Sequence, residues 1–234
     1  MTSDIAPEGR VALVTGANRG TGFAIATRLE EAGMSVWRLN RTATGHEREI
    51  VVDLSDVDGV ESAVGRVVDR AGRLDLLVPN AVDRYFAPVA EFDTKEWEQA
   101  LTVNLTSVLV AVRAALPALR ASRGQIVLMG SHAGTRFFEQ GVSYCATKAA
   151  LKAVCEVLLL EERPRGVRTS LVSPGAIANL DGDRSEFKMS TDSVAAHVAW
   201  LATAPRDAVV GEIELRPSEL PVPLLTGLDR LQAV

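Results

Sequence analysis

Tyr144 and Lys148 stand four residues apart, Ser131 lies thirteen residues before the tyrosine, and far upstream a loop reads Thr15-Gly16-Ala17-Asn18-Arg19-Gly20-Thr21-Gly22. Residues spaced by four share one face of a helix, so Lys148 can hold an ammonium beside the Tyr144 phenol and favour its ionised form. An unperturbed phenol titrates near ~10, and bringing it to about 7 takes roughly 4 kcal/mol at ~1.36 kcal/mol per unit. One charge at ~4 Å across an effective dielectric of ~20 supplies about that. Such a phenol exchanges protons near neutral pH. The glycine loop suits a pyrophosphate: Gly16 permits a tight turn, Gly20 and Gly22 let the backbone approach phosphates, and the following helix offers its N-terminal amides and positive dipole end. The combined chemistry is a nucleotide-dependent oxidoreduction.

Alternating strands and helices must position these residues. Val11 to Thr15 is an apolar run that ends in the glycine loop, and a helical pattern from Thr21 to Ala32 stops at Gly33. Strands follow at Ser35 to Leu39, Glu49 to Val52 and Leu74 to Val78, with a helix from Val57 to Ala71 closed by Gly72. A long helix is expected from Lys95 to Arg120, capped by Asp93 or Thr94, with Pro117 near its end. Gln125 to Gly130 is a fifth strand leading to Ser131, Ser143 to Glu162 a helix stopped by Pro164 and Gly166, and Val167 to Val172 a sixth strand ending in Ser173-Pro174-Gly175. Ser193 to Ala202 reads as a helix and Val209 to Leu215 as a last strand. This alternation predicts a Rossmann-type doubly wound α/β sheet of about seven parallel strands with helices on both faces and right-handed crossovers. The segment 178–190 is a lid over the site or a plain surface loop, and the prolines at 217, 221 and 223 mark an irregular C-terminal tail.

The chain has 234 residues, a size suited to one doubly wound domain spanning 1–234. Its 47% hydrophobic but only 5% aromatic content suits buried parallel strands of Val, Leu, Ile and Ala. The net charge of −5, with basic residues scattered, argues against nucleic-acid and anionic-membrane partners. The polar N-terminus and apolar stretches that read as short of a bilayer span place the protein in the cytosol. Cys145 and Cys155 lie ten residues apart on one predicted helix, about 15 Å, so they are expected as free thiols. His46, His132 and His197 lack the spaced partners of a metal site, and no metal is expected. His132 draws interest only because it follows Ser131.

The loop spacing is Gly-x-x-x-Gly-x-Gly, and with Asn104, Ser131, Tyr144 and Lys148 the chain resembles the short-chain dehydrogenase/reductase family. The resemblance runs from Val11 to Leu215 through Thr15 to Gly22, Asp53-Leu54, Asn80-Ala81, Val103-Asn104, Ser131, Tyr144-Cys-Ala-Thr-Lys148 and Pro174-Gly175. It implies that Tyr144 is the general acid in carbonyl reduction and the base in alcohol oxidation. Ser131 would hydrogen-bond the substrate oxygen as charge develops there. Lys148 would lower the Tyr144 pKa and bind the nicotinamide ribose, and Asn104 would hold a water linking Lys148 to solvent. The resemblance also implies that Asp53 accepts from the adenine amino group beside Leu54, that Asn80 and Ala81 line the adenine ribose, and that Ile177, after Pro174-Gly175, offers its backbone to the carboxamide. The chain departs from the family pattern at Thr21, Pro79, Val82, Asn179 and Arg216-Pro217-Ser218.

Cofactor choice is read from the second strand, which ends Arg38-Leu39-Asn40-Arg41. An NAD(H) site would carry an acidic residue there for the ribose hydroxyls. None stands at 40 or 41, and Arg41 with Arg19 can clamp a 2′-phosphate, so NADP(H) is expected over NAD(H). Tyr85, Phe86, Phe137 and Phe138 are carried toward the carboxyl edge of the sheet and suggest an apolar or aromatic substrate body, or else core or subunit contacts. The expected partner is a small carbonyl or alcohol substrate. The apolar surfaces of the two longest helices, which pair across a two-fold axis in the resembling family, predict a homodimer or homotetramer. The alternative to an enzyme is a non-catalytic dinucleotide-binding sensor or scaffold of the same fold.

Overall fold

A computed structural model describes residues 9–219 except 180, 181, 184 and 186. The polar N-terminus before Gly9, and the tail beyond Glu219 with prolines 221 and 223, lie outside the described residues. Seven parallel strands form one sheet in the order β3-β2-β1-β4-β5-β6-β9. They are β1 (Val11–Thr15), β2 (Ser35–Asn40), β3 (Glu49–Val51), β4 (Leu76–Val78), β5 (Gln125–Met129), β6 (Arg168–Pro174) and β9 (Glu212–Leu215). The order reverses between β1 and β4, so the carboxyl ends of those strands open a crevice where loops from both halves of the sheet meet. The fold is the expected Rossmann-type doubly wound α/β sheet.

Burial explains why these runs are strands: every residue of β1, β4, β5 and β6 is buried, as both faces of the sheet are covered. One face packs α2 (Val57–Ala71), α4 (Ser107–Ser122) and α5 (Val142–Glu162) around Leu13, Leu77, Ile126 and Leu128. The other packs α1 (Gly20–Glu31) and α6 (Thr191–Thr203) around Val14, Val36, Val78 and Val127. At the far end of α5, the buried Glu162 carboxylate receives Arg120 Nε at 2.8 Å and Nη2 at 2.6 Å, tying α4 to α5. The charge-assisted bonds, with a third from Arg165, hold this carboxyl below its usual range against the effect of burial.

Three elements differ from the sequence expectation. The single helix expected over 95–120 is α3 (Thr94–Leu101), a π turn (Thr102–Thr106) and α4. Thr102 Oγ1 donates to the Glu98 carbonyl at 2.8 Å and Ser107 Oγ to the Val103 carbonyl at 2.7 Å, so side chains compete for the ladder on both sides of the widened turn. The cap is Asp93, whose carboxylate accepts from Lys95 N and Glu96 N. The run Thr94–Ser122 is in fact long and apolar enough by composition to cross a membrane, with an 18-residue window of mean hydropathy 1.5, correcting the expectation that no stretch comes near a span. Its buried face lies on the sheet core through Val108, Ala111, Val112, Ala115 and Leu119. The last strand begins at Glu212 rather than Val209, since the edge strand pairs only with Leu171 to Pro174. Within 178–190, β7 (Ile177–Ala178) and β8 (Met189–Ser190) form a small parallel pair, and Lys188 Nζ meets Asp183 Oδ2 at 2.8 Å.

Candidate functional site

The glycine loop joins the carboxyl end of β1 to α1. Gly16 and Gly20 have φ of +65° and +55°, a region that strains any side chain. A Cβ on Gly22 would overlap the Gly16 carbonyl, and one on Gly16 would lie 2.9 Å from Ala81 Cβ. Thr15 Oγ1 accepts from both Asn80 N and Ala81 N at 3.0 Å, and Asn80 Nδ2 donates to the Thr15 carbonyl at 3.1 Å. The Asn80 amide therefore staples β4 to the loop, while Ala81 is left to line the crevice. The Asn80 side chain builds the wall of the loop.

The N-terminus of α1 has no side-chain cap from Arg19, which is exposed. Asn179 supplies one from far along the chain: its Oδ1 accepts from Thr21 N at 2.8 Å and Thr21 Oγ1 at 3.2 Å. That oxygen occupies the positive end of the helix, the place an anionic oxygen favours. A cradle that excludes side chains at Gly16, Gly20 and Gly22 and already coordinates an oxygen fits a pyrophosphate. The Thr21 hydroxyl thus has a structural role, reaching the Asn179 amide oxygen.

At the tip of β2, Asn40 is buried and Arg41 exposed. Asn40 Nδ2 donates to Glu49 Oε1 at 2.6 Å, a partner that sequence reading missed because it arrives from β3. Nearby, Asp53 Oδ1 accepts from Ser55 N at 2.9 Å and Ser55 Oγ at 2.8 Å. These bonds, and the more distant Arg41 charge, hold the Asp53 carboxyl below its usual range, with burial opposing them. One Asp53 oxygen is thus engaged in a turn. Leu54 packs against the core rather than standing free.

The residues expected to transfer protons sit at the other side of the crevice. Ser131 follows β5, and its Oγ accepts from Ala133 N at 3.1 Å, which leaves the hydroxyl hydrogen to donate elsewhere. Tyr144 and Lys148 are both buried on the first turns of α5. Lys148 Nζ lies 5.8 Å from the Tyr144 ring centroid and donates to the Met129 carbonyl at 2.6 Å. Burial, with the Arg84 charge as a second cause, brings the lysine down to about 7. Lys148, expected beside the phenol as an ammonium, is thus held well below the ordinary lysine range by its burial. Asn104 lies on the π turn. Its Oδ1 accepts from Asp83 N at 2.7 Å, and its Nδ2 donates to the Asp83 carbonyl at 2.9 Å and to Thr147 Oγ1 at 3.3 Å. Its direct partners are thus Asp83 and the residue before Lys148, not Lys148 itself.

Aromatic side chains divide into two groups. Phe86 meets Tyr144 edge-on at 5.9 Å between centroids and Phe138 at the same distance, so both line the reactive phenol. Tyr85 turns away to accept from Asp93 N at 2.6 Å, and Phe137 is 71% exposed. Val82 packs with Phe138 against the Tyr144 cluster. Across from them, Gly175 N donates to the Leu215 carbonyl at 2.8 Å, and a Cβ there would press on His132 Nδ1. Pro174 ends β6, and Ile177 opens β7 with its side chain on the second core cluster. His132 Nε2 lies 3.1 Å from Glu214 Oε1 without hydrogen-bond alignment, and burial lowers its pKa. Arg216 Nε donates to the same Glu214 oxygen at 2.8 Å.

A family model for short chain dehydrogenases matches residues 10–188. D-threitol dehydrogenase of Mycolicibacterium smegmatis is 34% identical over 188 residues, covering 74% of this chain and 72% of that protein. An uncharacterised oxidoreductase of Staphylococcus epidermidis is 29% identical over 223 residues, covering 89% and 97%. Among solved structures, an alcohol dehydrogenase of Thermococcus sibiricus complexed with 5-hydroxy-NADP superposes with a TM-score of 0.82 at 28% identity, covering 91% of this chain and 98% of that one. A metagenomic short-chain oxidoreductase in complex with NADP gives a TM-score of 0.81 at 32% identity, covering 92% and 100%. With the family match spanning most of its length and its sheet, glycine loop and Tyr144/Lys148 pair in the same frame, the chain belongs to the short-chain dehydrogenase/reductase family.

Proposed function

We propose that the chain is an NADP(H)-dependent oxidoreductase that interconverts a carbonyl and an alcohol, with Tyr144 as the proton donor in reduction and the acceptor in oxidation. The observation that carries this reading is the placement of Ser131 just after β5 and of Tyr144 and Lys148 on α5, across the crevice from a glycine loop that fits a pyrophosphate. NADP(H), when bound, supplies or accepts the hydride. In the reducing direction the Ser131 hydroxyl donates to the substrate oxygen as it becomes negative, a preorganised contact of the kind worth most in a dry site. The Tyr144 phenol then gives that oxygen its proton. Lys148, which titrates at about 7, is suited to return a proton to Tyr144. Asn104 fixes the Asp83 backbone and, through Thr147, the start of α5, which makes it a positioning residue in this scheme. Phe86 and Phe138 give the substrate an apolar wall and so favour an aromatic or aliphatic body.

The preference for NADP(H) rests on Arg41, exposed after β2, and Arg19, exposed on the glycine loop, and NADP accompanies several of the similar solved structures. The deciding experiment follows NADPH consumption against ketones, aldehydes and quinones. Turnover with a subset of carbonyls is the expected result. Tight NADPH binding with no turnover across all three classes would instead identify a sensor or scaffold.

Assembly follows from surface left uncovered. Leu109 on α4 and Val157 and Leu160 on α5 are 44%, 50% and 67% exposed, a set of large apolar side chains on neighbouring helices. Pairing of these faces between two copies would cover them, giving a dimer or a tetramer. Sedimentation at micromolar concentration should report at least twice the 25.0 kDa chain mass, and a monomer would contradict the pairing.

A further inference from the structure

Opposite the reactive crevice, at the amino ends of the strands, arginines converge on a small cavity. It is lined by Arg10, Asp75, Gln125, Arg168 and Arg206, with Met34, Leu76 and Ala202 completing the wall. Arg10 precedes β1, Arg168 opens β6, and Arg206 follows α6. The cavity volume is about 10 Å³, room for one water-sized occupant.

Among the described residues, the nearby charges do not balance. Asp75 is the one carboxylate among the lining residues, and its oxygens already receive Val11 N at 2.8 Å, Arg73 Nε at 2.8 Å and Arg73 Nη2 at 2.7 Å. Arg73 and Asp75 thus neutralise one another. Arg206 Nη2 donates to the Arg123 carbonyl at 3.0 Å and the Ser122 carbonyl at 3.3 Å, at the negative end of α4. Arg10 Nη1 donates likewise to Ala202 O at 3.0 Å, in the last turn of α6. Arg168 has no such compensation. It is only 8% exposed, its Nε has no acceptor, and among the described residues no hydrogen bond or ion pair engages its guanidinium. Its pKa is pushed down to about 10, first by burial and then by the charges of Arg206 and Arg10. A buried guanidinium without a counter-charge is costly, and a water molecule in the cavity would satisfy donors without relieving the repulsion.

We propose that this cavity is a binding site for one small monovalent anion of chloride size, held by Arg168 with Arg206 and Arg10 around it. The unpaired Arg168 guanidinium calls for a negative charge, and the volume excludes sulfate and phosphate. Bound there, the anion joins the starts of β1 and β6 to the end of α6, so it acts on stability rather than on the reaction at the far edge.

The test compares thermal unfolding of the full chain in sodium chloride and in sodium gluconate at equal ionic strength, since gluconate is too large to enter. A ligand that binds only the folded state raises Tm, by about 2–4 °C per kcal/mol for a chain of this size. A higher Tm in chloride, lost in Arg168→Gln, is the expected result. Crystals grown in bromide should show an anomalous peak between Arg168 and Arg206, a readout that does not depend on the variant folding. Equal Tm values for the wild-type protein in the two salts, or bromide absent from the cavity, would overturn the proposal.

Discussion

Tyr144→Phe should lower kcat by at least about 10²-fold, the lower end for general acid–base catalysis, while NADPH affinity and Tm stay close to wild type. The ring is fixed by packing that phenylalanine keeps: it is 9% exposed, lies against Ala133 and Cys145, and meets Phe86 edge-on at 5.9 Å. The phenol oxygen has no hydrogen-bond partner among the described residues, so removing it orphans no buried group. Its loss is therefore a loss of the transferable proton alone. Ser131 would still donate to the substrate oxygen and retain part of the acceleration. Activity within tenfold of wild type would remove Tyr144 from the proton-transfer step, and a large fall in Tm would mean that the ring had moved.

The strands were legible because each is a short apolar run bounded by glycine, proline or a polar turn, and burial on both faces makes such runs continuous. The candidate site was legible because its spacing is local: Tyr144 and Lys148 share a helix, and the glycines share a loop. What escaped the sequence depends on contacts between distant segments. Asn104 is a helix residue by pattern, yet the π turn around it is set by where Thr102 and Ser107 place their hydroxyls. The cap of α1 comes from Asn179, after β6, and no local signal at Arg19 or Thr21 names it. Lys148 reads as an ammonium from its spacing, but its burial and the nearby Arg84 charge are tertiary facts that lower its pKa. Arg168 opens a strand and is buried there, between β5 and β9, which its local sequence does not signal.

Arg41→Ala should lower kcat/KM with NADPH by at least about tenfold and change kcat/KM with NADH little. The absence of an acidic residue at 40 and 41 is only part of the case, since Glu49 brings a carboxylate to the tip of β2. That carboxylate is occupied: Oε1 accepts from Asn40 Nδ2 at 2.6 Å and Thr44 Oγ1 at 2.9 Å, and Oε2 from Thr44 N at 2.8 Å and Gly45 N at 3.1 Å. Burial alone would raise its pKa, but these bonds outweigh burial and hold the group ionised below its usual range. Glu49 therefore closes the loop 41–45 on itself and leaves little of the carboxylate to grip a ribose. Arg41, at the start of that loop, is exposed and keeps its guanidinium available. Arg19, exposed on the glycine loop, can approach a 2′-phosphate from the other side. A hydrogen bond to a charged group contributes roughly 1.5–3 kcal/mol, and about 1.4 kcal/mol is tenfold, so losing one guanidinium gives the stated minimum. NADH has no 2′-phosphate to lose. Wild-type protein that uses NADH as well as NADPH, or an Arg41→Ala variant weakened equally toward both, would show that the two arginines do not select the cofactor.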